Sequence, residues 1–214
     1  MPYKHLSILF YLTLVVFSTV SLSSPKRIAS LAPHLTEWVY ALDKGDDIIA
    51  ISAYSDYPKQ ALKHPVLADV NGINLAKLVE LNPDLVLLWQ ANVKLGQVEK
   101  MTALGLNVYI SNPHTLEDIY KEVNDISKLL AKPVQGERYI NNLKNNLEKL
   151  RNKHQQKTLK PTFFQLWHSP LMTVNQHTLI NQVLTICGLE NIFADSSVTY
   201  PTVSKEQVML KMPD

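Results

Sequence analysis

The segment Leu85–Trp89 constrains the fold of this chain more than any other. Five consecutive apolar residues, Leu-Val-Leu-Leu-Trp, follow the Asn82-Pro83-Asp84 breaker, and none of them suits a face turned to water. A strand that is apolar on both sides must be covered on both sides, as in parallel sheets layered between helices. The flanking sequence agrees. Asn74–Leu81 has helical spacing, with Asn74 as cap and Leu75, Leu78, Val79 and Leu81 expected to face inward. Downstream, Val98–Leu104 is helical, Gly105 ends it, and Asn107–Ser111 reads as the next strand. Upstream, strands at Arg27–Leu31 and Asp47–Ser52 bracket a helix at Leu35–Leu42 that carries Leu35, Trp38, Val39 and Leu42 on one face. Strands alternating with helices in this way predict an α/β fold.

A helix at Leu116–Leu130 completes the first region. From about Val134 to Lys157 the chain turns long and polar, with Tyr139, Ile140, Leu143, Leu147 and Leu150 in a stripe at helical spacing. Beyond it a second α/β series begins, with a strand at Thr162–Leu166 and helices at Leu179–Cys187 and Ser204–Lys211. The expected architecture is therefore two parallel-sheet lobes joined by one long helix: lobes at 24–133 and 159–214, with the linking helix at 134–158. The two regions share an element. Asn74–Asp84 and Ser204–Asp214 both run from a capping residue through an apolar position (Leu78, Val208) to Pro-Asp, and Ser204 with Gln207 spells a capping box. After the first copy comes the core strand Leu85–Trp89; the second copy ends at Asp214, so the second lobe is expected to be incomplete.

Residues 1–23 read as a cleaved secretory signal: Lys4 precedes an apolar run, Leu6–Val20, followed by the small residues Ser21-Leu22-Ser23. Export to the periplasm is the expectation, and the absence of a cysteine beside the cut argues against a lipid anchor there. Lys+Arg 21 against Asp+Glu 19 leaves a net charge of +2, without the basic excess of a nucleic-acid binder.

The blocks Arg27-Ile-Ala-Ser-Leu-Ala-Pro33 with Thr36-Glu37, Tyr54-Ser-Asp-Tyr-Pro58, Gly72-Ile-Asn-Leu75, and Asn82-Pro-Asp-Leu-Val-Leu-Leu-Trp89 resemble the vitamin B12-binding family of periplasmic proteins. So do Asn181-Gln-Val-Leu-Thr-Ile-Cys-Gly188, Glu190-Asn-Ile-Phe193 and Val203-Ser-Lys-Glu-Gln-Val208 in the second region. The Pro-Asp-Leu-Val block is shared with siderophore, haem and metal binders, whereas Tyr-Ser-Asp-Tyr-Pro with the Cys-Gly run is more specific to the cobalamin branch. The resemblance implies a monomeric, non-enzymatic protein with no cofactor. Such a protein holds cobalamin between two lobes and docks on the membrane permease of an ABC importer, driven by a cytoplasmic ATPase. It places ligand-contacting residues at Tyr54 and Trp89 in the first lobe and at Met172 and Tyr200 in the second. Both Tyr54 and Trp89 follow or end apolar strands, where residues of an α/β sheet face the ligand crevice. A further family tryptophan is replaced by Val70. For permease docking the resemblance implies Glu206, with Ala76 at the first-lobe counterpart and Glu80 one turn away. Cys187 matches a family cysteine that forms a disulfide with one near the C-terminus, a partner missing from this chain.

Other readings are open on the residues alone. A ferric siderophore or haem binder on the same scaffold is one, and a truncated, non-functional fragment another. His34, His64, His114 and His168 could converge on a metal, though they lack close ligand spacing. An enzyme has no support: no Gly-rich phosphate loop, Gly-x-Ser-x-Gly elbow or His-Glu-x-x-His pair is present.

Overall fold

The computed structural model describes residues 24–154 and 158–214. The expected signal segment, residues 1–23, lies outside the described residues.

Leu85–Trp89 is a strand over those same five residues, here β5 in chain order. It sits inside a six-stranded sheet made with β1 (Ile28–Ser30), β2 (Ile48–Ser52), β3 (Val66–Asp69), β4 (Gly72–Ile73) and β6 (Val108–Ser111). The order is β4-β3-β2-β1-β5-β6. Every pairing is parallel except β3 with β4, so the sheet is mixed rather than all-parallel. The exception comes from a tight reversal at Asp69–Gly72, where Gly72 takes φ +131°.

The two-sided burial inferred for β5 is met at its first four residues, while Trp89 at its end is exposed. Leu85 and Leu87 enter a core with Ile28, Leu35, Val39, Val123 and Ile126, beneath α1 (Pro33–Ala41) and α4 (Leu116–Leu129). Val86 and Leu88 enter the opposite core with Ala29, Leu78 and Met101, beneath α2 (Leu75–Glu80) and α3 (Gln97–Ala103). Each such fully buried leucine contributes about 2 kcal/mol in transfer from water. Of the four α2 residues expected inside, Leu78 is fully buried and Leu75 and Leu81 pack at the margin, but Val79 is exposed. A six-residue helix presents too narrow a face to bury all four.

The long helix α5 (Pro133–His154) crosses α4 at Gly136, where a Cβ would lie 2.4 Å from Ser127 Cβ. Tyr139 and Ile140 of its stripe pack against the first core, while Leu150 is exposed. Beyond α5, β7 (Lys160–Thr162) pairs in parallel with β8 (Leu189–Asn191) in a two-stranded sheet, with α6 (Leu179–Ile186) and α7 (Lys205–Leu210) beside it. The expected strand at Thr162–Leu166 is thus displaced. Phe163, just beyond β7, packs its ring against Phe193, centroids 6.0 Å apart.

The shared element is a structural repeat as well as a sequence one. Asn74 and Ser204 each accept from the amide three residues on, and Ser204 completes its capping box with Gln207. Asn82 and Met212 both adopt left-handed backbone, φ 44° and 43°. Each copy then turns onto a strand: the Asp84 amide donates to the Arg27 carbonyl and the Asp214 amide to the Pro161 carbonyl, both at 2.8 Å.

Candidate functional site

Strand order reverses between β1 and β5, and an α/β sheet opens a crevice outside the carboxyl ends of its strands at such a point. The segments leaving β1, β2, β3 and β5 line a pocket of about 240 Å³ there, with Leu31, Pro33, Ala53, Tyr54, Val70, Leu88, Trp89 and Val93 among its walls. One charged residue, Asp69, lines it, and no lysine, arginine or histidine does. Asp69 accepts from the Asn71 amide (2.8 Å) and side chain (3.1 Å), which hold its carboxyl below the usual carboxylate range.

Tyr54 is 78% exposed and held in an uncommon backbone conformation, φ +66°. A non-glycine residue there costs about 1–2 kcal/mol, so the surrounding structure must enforce it. A buried cluster of four hydroxyls does so. Ser55, next to Tyr54, has Oγ 3.0 Å from Ser52 Oγ and 3.3 Å from Thr36 Oγ1, and its amide donates to the Ser52 carbonyl. Thr36 Oγ1 in turn lies 2.9 Å from Ser30 Oγ and 3.2 Å from the Ala32 carbonyl. The cluster ties β1, α1 and β2 to the turn that projects the Tyr54 ring outward. Sequence reasoning did not single out these hydroxyls; their one signal was serine inside otherwise apolar strands.

Trp89 ends β5 and remains 38% exposed. Behind it stands His34, ring centroids 5.8 Å apart and nearly perpendicular, and His34 meets Trp38 the same way at 5.1 Å. Burial pushes the His34 imidazole down to about 4, so it is neutral at ordinary pH. Val70, where the resemblance expects an aromatic wall, is 88% exposed at the pocket rim.

Tyr54, Val70 and Trp89 therefore come together in one pocket, whose lining belongs wholly to the first lobe. Met172 and Tyr200 do not line it. They share a separate backbone ladder in the second lobe, formed by the Thr173 amide on the Pro201 carbonyl, Asn175 on Thr199 and Val203 on Leu171. Met172 is half-buried there and Tyr200 half-exposed. Glu206 stands exposed in the first turn of α7, where its own amide and the Ser204 hydroxyl hold its carboxyl below the usual range. Cys187 caps α6 as a half-buried free thiol, and as the single cysteine of the chain it forms no internal disulfide. Among the described residues no three of His, Cys, Asp or Glu converge as metal ligands. His34 faces Ser111, and His64 pairs with the Tyr40 hydroxyl at 3.0 Å.

A periplasmic binding protein family model matches residues 28–214. The vitamin B12-binding protein of Photorhabdus laumondii is 38% identical over 209 residues, 98% of this chain and 75% of the relative. Among solved structures, the periplasmic vitamin B12 binding protein BtuF of Vibrio cholerae superposes with a TM-score of 0.78 at 38% identity. That match covers 89% of this chain and 74% of the other. The periplasmic heme binding protein HutB of Vibrio cholerae also superposes at 0.78, with 18% identity over 87% and 73%, a likeness of fold alone. With a family model matched from the first core strand to Asp214 and a close relative covered over three quarters of its length, this chain belongs to the periplasmic binding protein family.

Proposed function

We propose that this chain is a periplasmic solute-binding protein that captures vitamin B12 between two lobes and delivers it to the permease of an ABC importer. The observation that carries this reading is the pocket at the strand-order reversal, with Tyr54 and Trp89 exposed over an apolar floor and no cationic side chain among its walls. A corrin is broad, flat and edged with neutral amides. Aromatic walls suit its faces, and binding it requires no reacting group. In this reading residues 24–133 form the first lobe, 134–158 the linking helix and 159–214 the second lobe, and residues 1–23 direct export. Met172 and Tyr200 supply the second wall, and Glu206 meets the permease. The names of the relatives at 36–38% identity support the ligand, and the family supports the compartment and the importer.

Calorimetric titration of the purified protein with cyanocobalamin tests the proposal. Saturable heat at micromolar ligand is expected. Val70 in place of a tryptophan favours a second reading, a haem or ferric-siderophore binder on the same scaffold. Binding of haemin or a ferric hydroxamate with no response to cyanocobalamin would replace the first reading by the second.

A further inference from the structure

Glu122 is a buried carboxylate, 8% exposed, on the inner face of α4. It takes no salt bridge among the described residues and is held instead by two donors. The Asn112 amide donates to Oε1 at 2.7 Å and the Ser111 hydroxyl to Oε2 at 2.5 Å. Ser111 is fully buried at the end of β6, directly paired with Trp89 across the ladder. Having given its one proton to Glu122, Ser111 Oγ can only accept from His34 Nε2, 3.0 Å away. That fixes the proton of the neutral imidazole on Nε2 and fixes the ring plane. The plane so fixed is the one that meets both Trp89 and Trp38 edge-to-face. The order of groups is not that of an acyl-transfer triad, where histidine stands between acid and serine. Nothing here activates a nucleophile; the chain of bonds ends on an aromatic wall.

We propose that the Glu122–Ser111–His34 relay is a positioning device. It sets the Trp89 indole before ligand arrives, so that the cleft wall is preorganised rather than assembled on binding. The proposal rests on the cobalamin reading for its ligand but not for its geometry. The Trp89 side chain is the exposed end of a hydrogen-bonded and ring-stacked series whose other end is the buried Glu122 side chain, so loosening the series should loosen the wall.

The test uses the protein labelled with 5-fluorotryptophan, whose three tryptophans (Trp38, Trp89, Trp167) give three fluorine resonances. Ser111→Ala cuts the relay while leaving the Trp89 side chain and the β5–β6 backbone pairing in place. It should shift or broaden the Trp89 signal, leave Trp167 unchanged, and weaken cyanocobalamin binding by about tenfold, mainly through faster release. His34→Phe should do the same, since it keeps a ring and removes the hydrogen bond. Ser111→Thr retains the hydroxyl and should bind within about twofold of the parent protein, whereas Glu122→Gln offers one acceptor oxygen to two donors and should move the Trp89 signal and weaken binding in the same direction as Ser111→Ala. If Ser111→Ala does not fold, His34→Phe against Ser111→Thr carries the same comparison. A Trp89 signal and an affinity both unmoved in Ser111→Ala and His34→Phe would overturn the proposal. If the parent protein binds no cyanocobalamin yet Trp89 responds to the relay, positioning stands and the ligand assignment fails.

Discussion

Replacing Thr36 by valine removes one oxygen and leaves the shape of the side chain almost unchanged. Thr36 is fully buried, and its Oγ1 is the hydroxyl partner of Ser30 Oγ at 2.9 Å and of Ser55 Oγ at 3.3 Å. Ser55 keeps Ser52 as a partner after the change; Ser30 is left without that hydroxyl. The net loss of a hydrogen bond is about 1 kcal/mol, and stranding a buried hydroxyl adds about 1–3 kcal/mol. The extra buried methyl returns about 0.8 kcal/mol. Thr36→Val should therefore destabilise by roughly 2 kcal/mol, seen as a lower urea midpoint at unchanged slope and a Tm lower by about 5 °C. Thr36→Ser keeps the oxygen and should lose less than half as much. Because the cluster enforces the left-handed backbone at Tyr54, ligand affinity should fall with stability in Thr36→Val. A Thr36→Val protein within about 0.5 kcal/mol of the parent would refute the claim that the hydroxyl cluster braces this turn.

Three further outcomes are expected. At Tyr54, which is mostly exposed at φ +66°, glycine should be about 1 kcal/mol more stable than alanine in chemical denaturation, and both should weaken cyanocobalamin binding at least ~10-fold in calorimetry. Gly136→Ala drives a methyl to 2.4 Å from Ser127 Cβ and should cost about 1–3 kcal/mol in thermal unfolding; adding Ser127→Gly should restore most of it. His34 is lowered by burial from its ordinary 6.5 to about 4, so the unfolded chain binds a proton between those values and the folded one does not. Stability should therefore decline as pH falls through that window, by at most ~3 kcal/mol, and level off below it; His34→Gln should flatten the profile.

The sheet was legible wherever burial was two-sided. β5 matches its expected bounds because five apolar residues admit no other pairing of faces, and the caps at Asn74 and Ser204 announce themselves chemically. β3, β4 and β8 were not anticipated. They are short, and their place follows from which neighbour offers a free edge, a property of the assembled sheet rather than of the residues. β7 lies at Lys160–Thr162, ahead of the apolar run at Phe163 that suggested it, because apolar content marks burial and not which backbone groups pair. Of the candidate site, Tyr54 and Trp89 could be located from strand ends, yet what orients them could not. Thr36 meets Ser55, and His34 meets Ser111, only when segments apart in sequence lie side by side.

The confinement of the pocket's lining to one lobe has a kinetic consequence. In the two-lobed capture proposed above, a ligand would land on the first lobe before the second had moved, so capture would split into arrival and enclosure. Arrival depends on an open, prearranged surface and should be indifferent to the stiffness of α5. In that reading α5 links the two lobes, so altering its length or rigidity should change how long a ligand stays and leave the rate of its arrival unaltered.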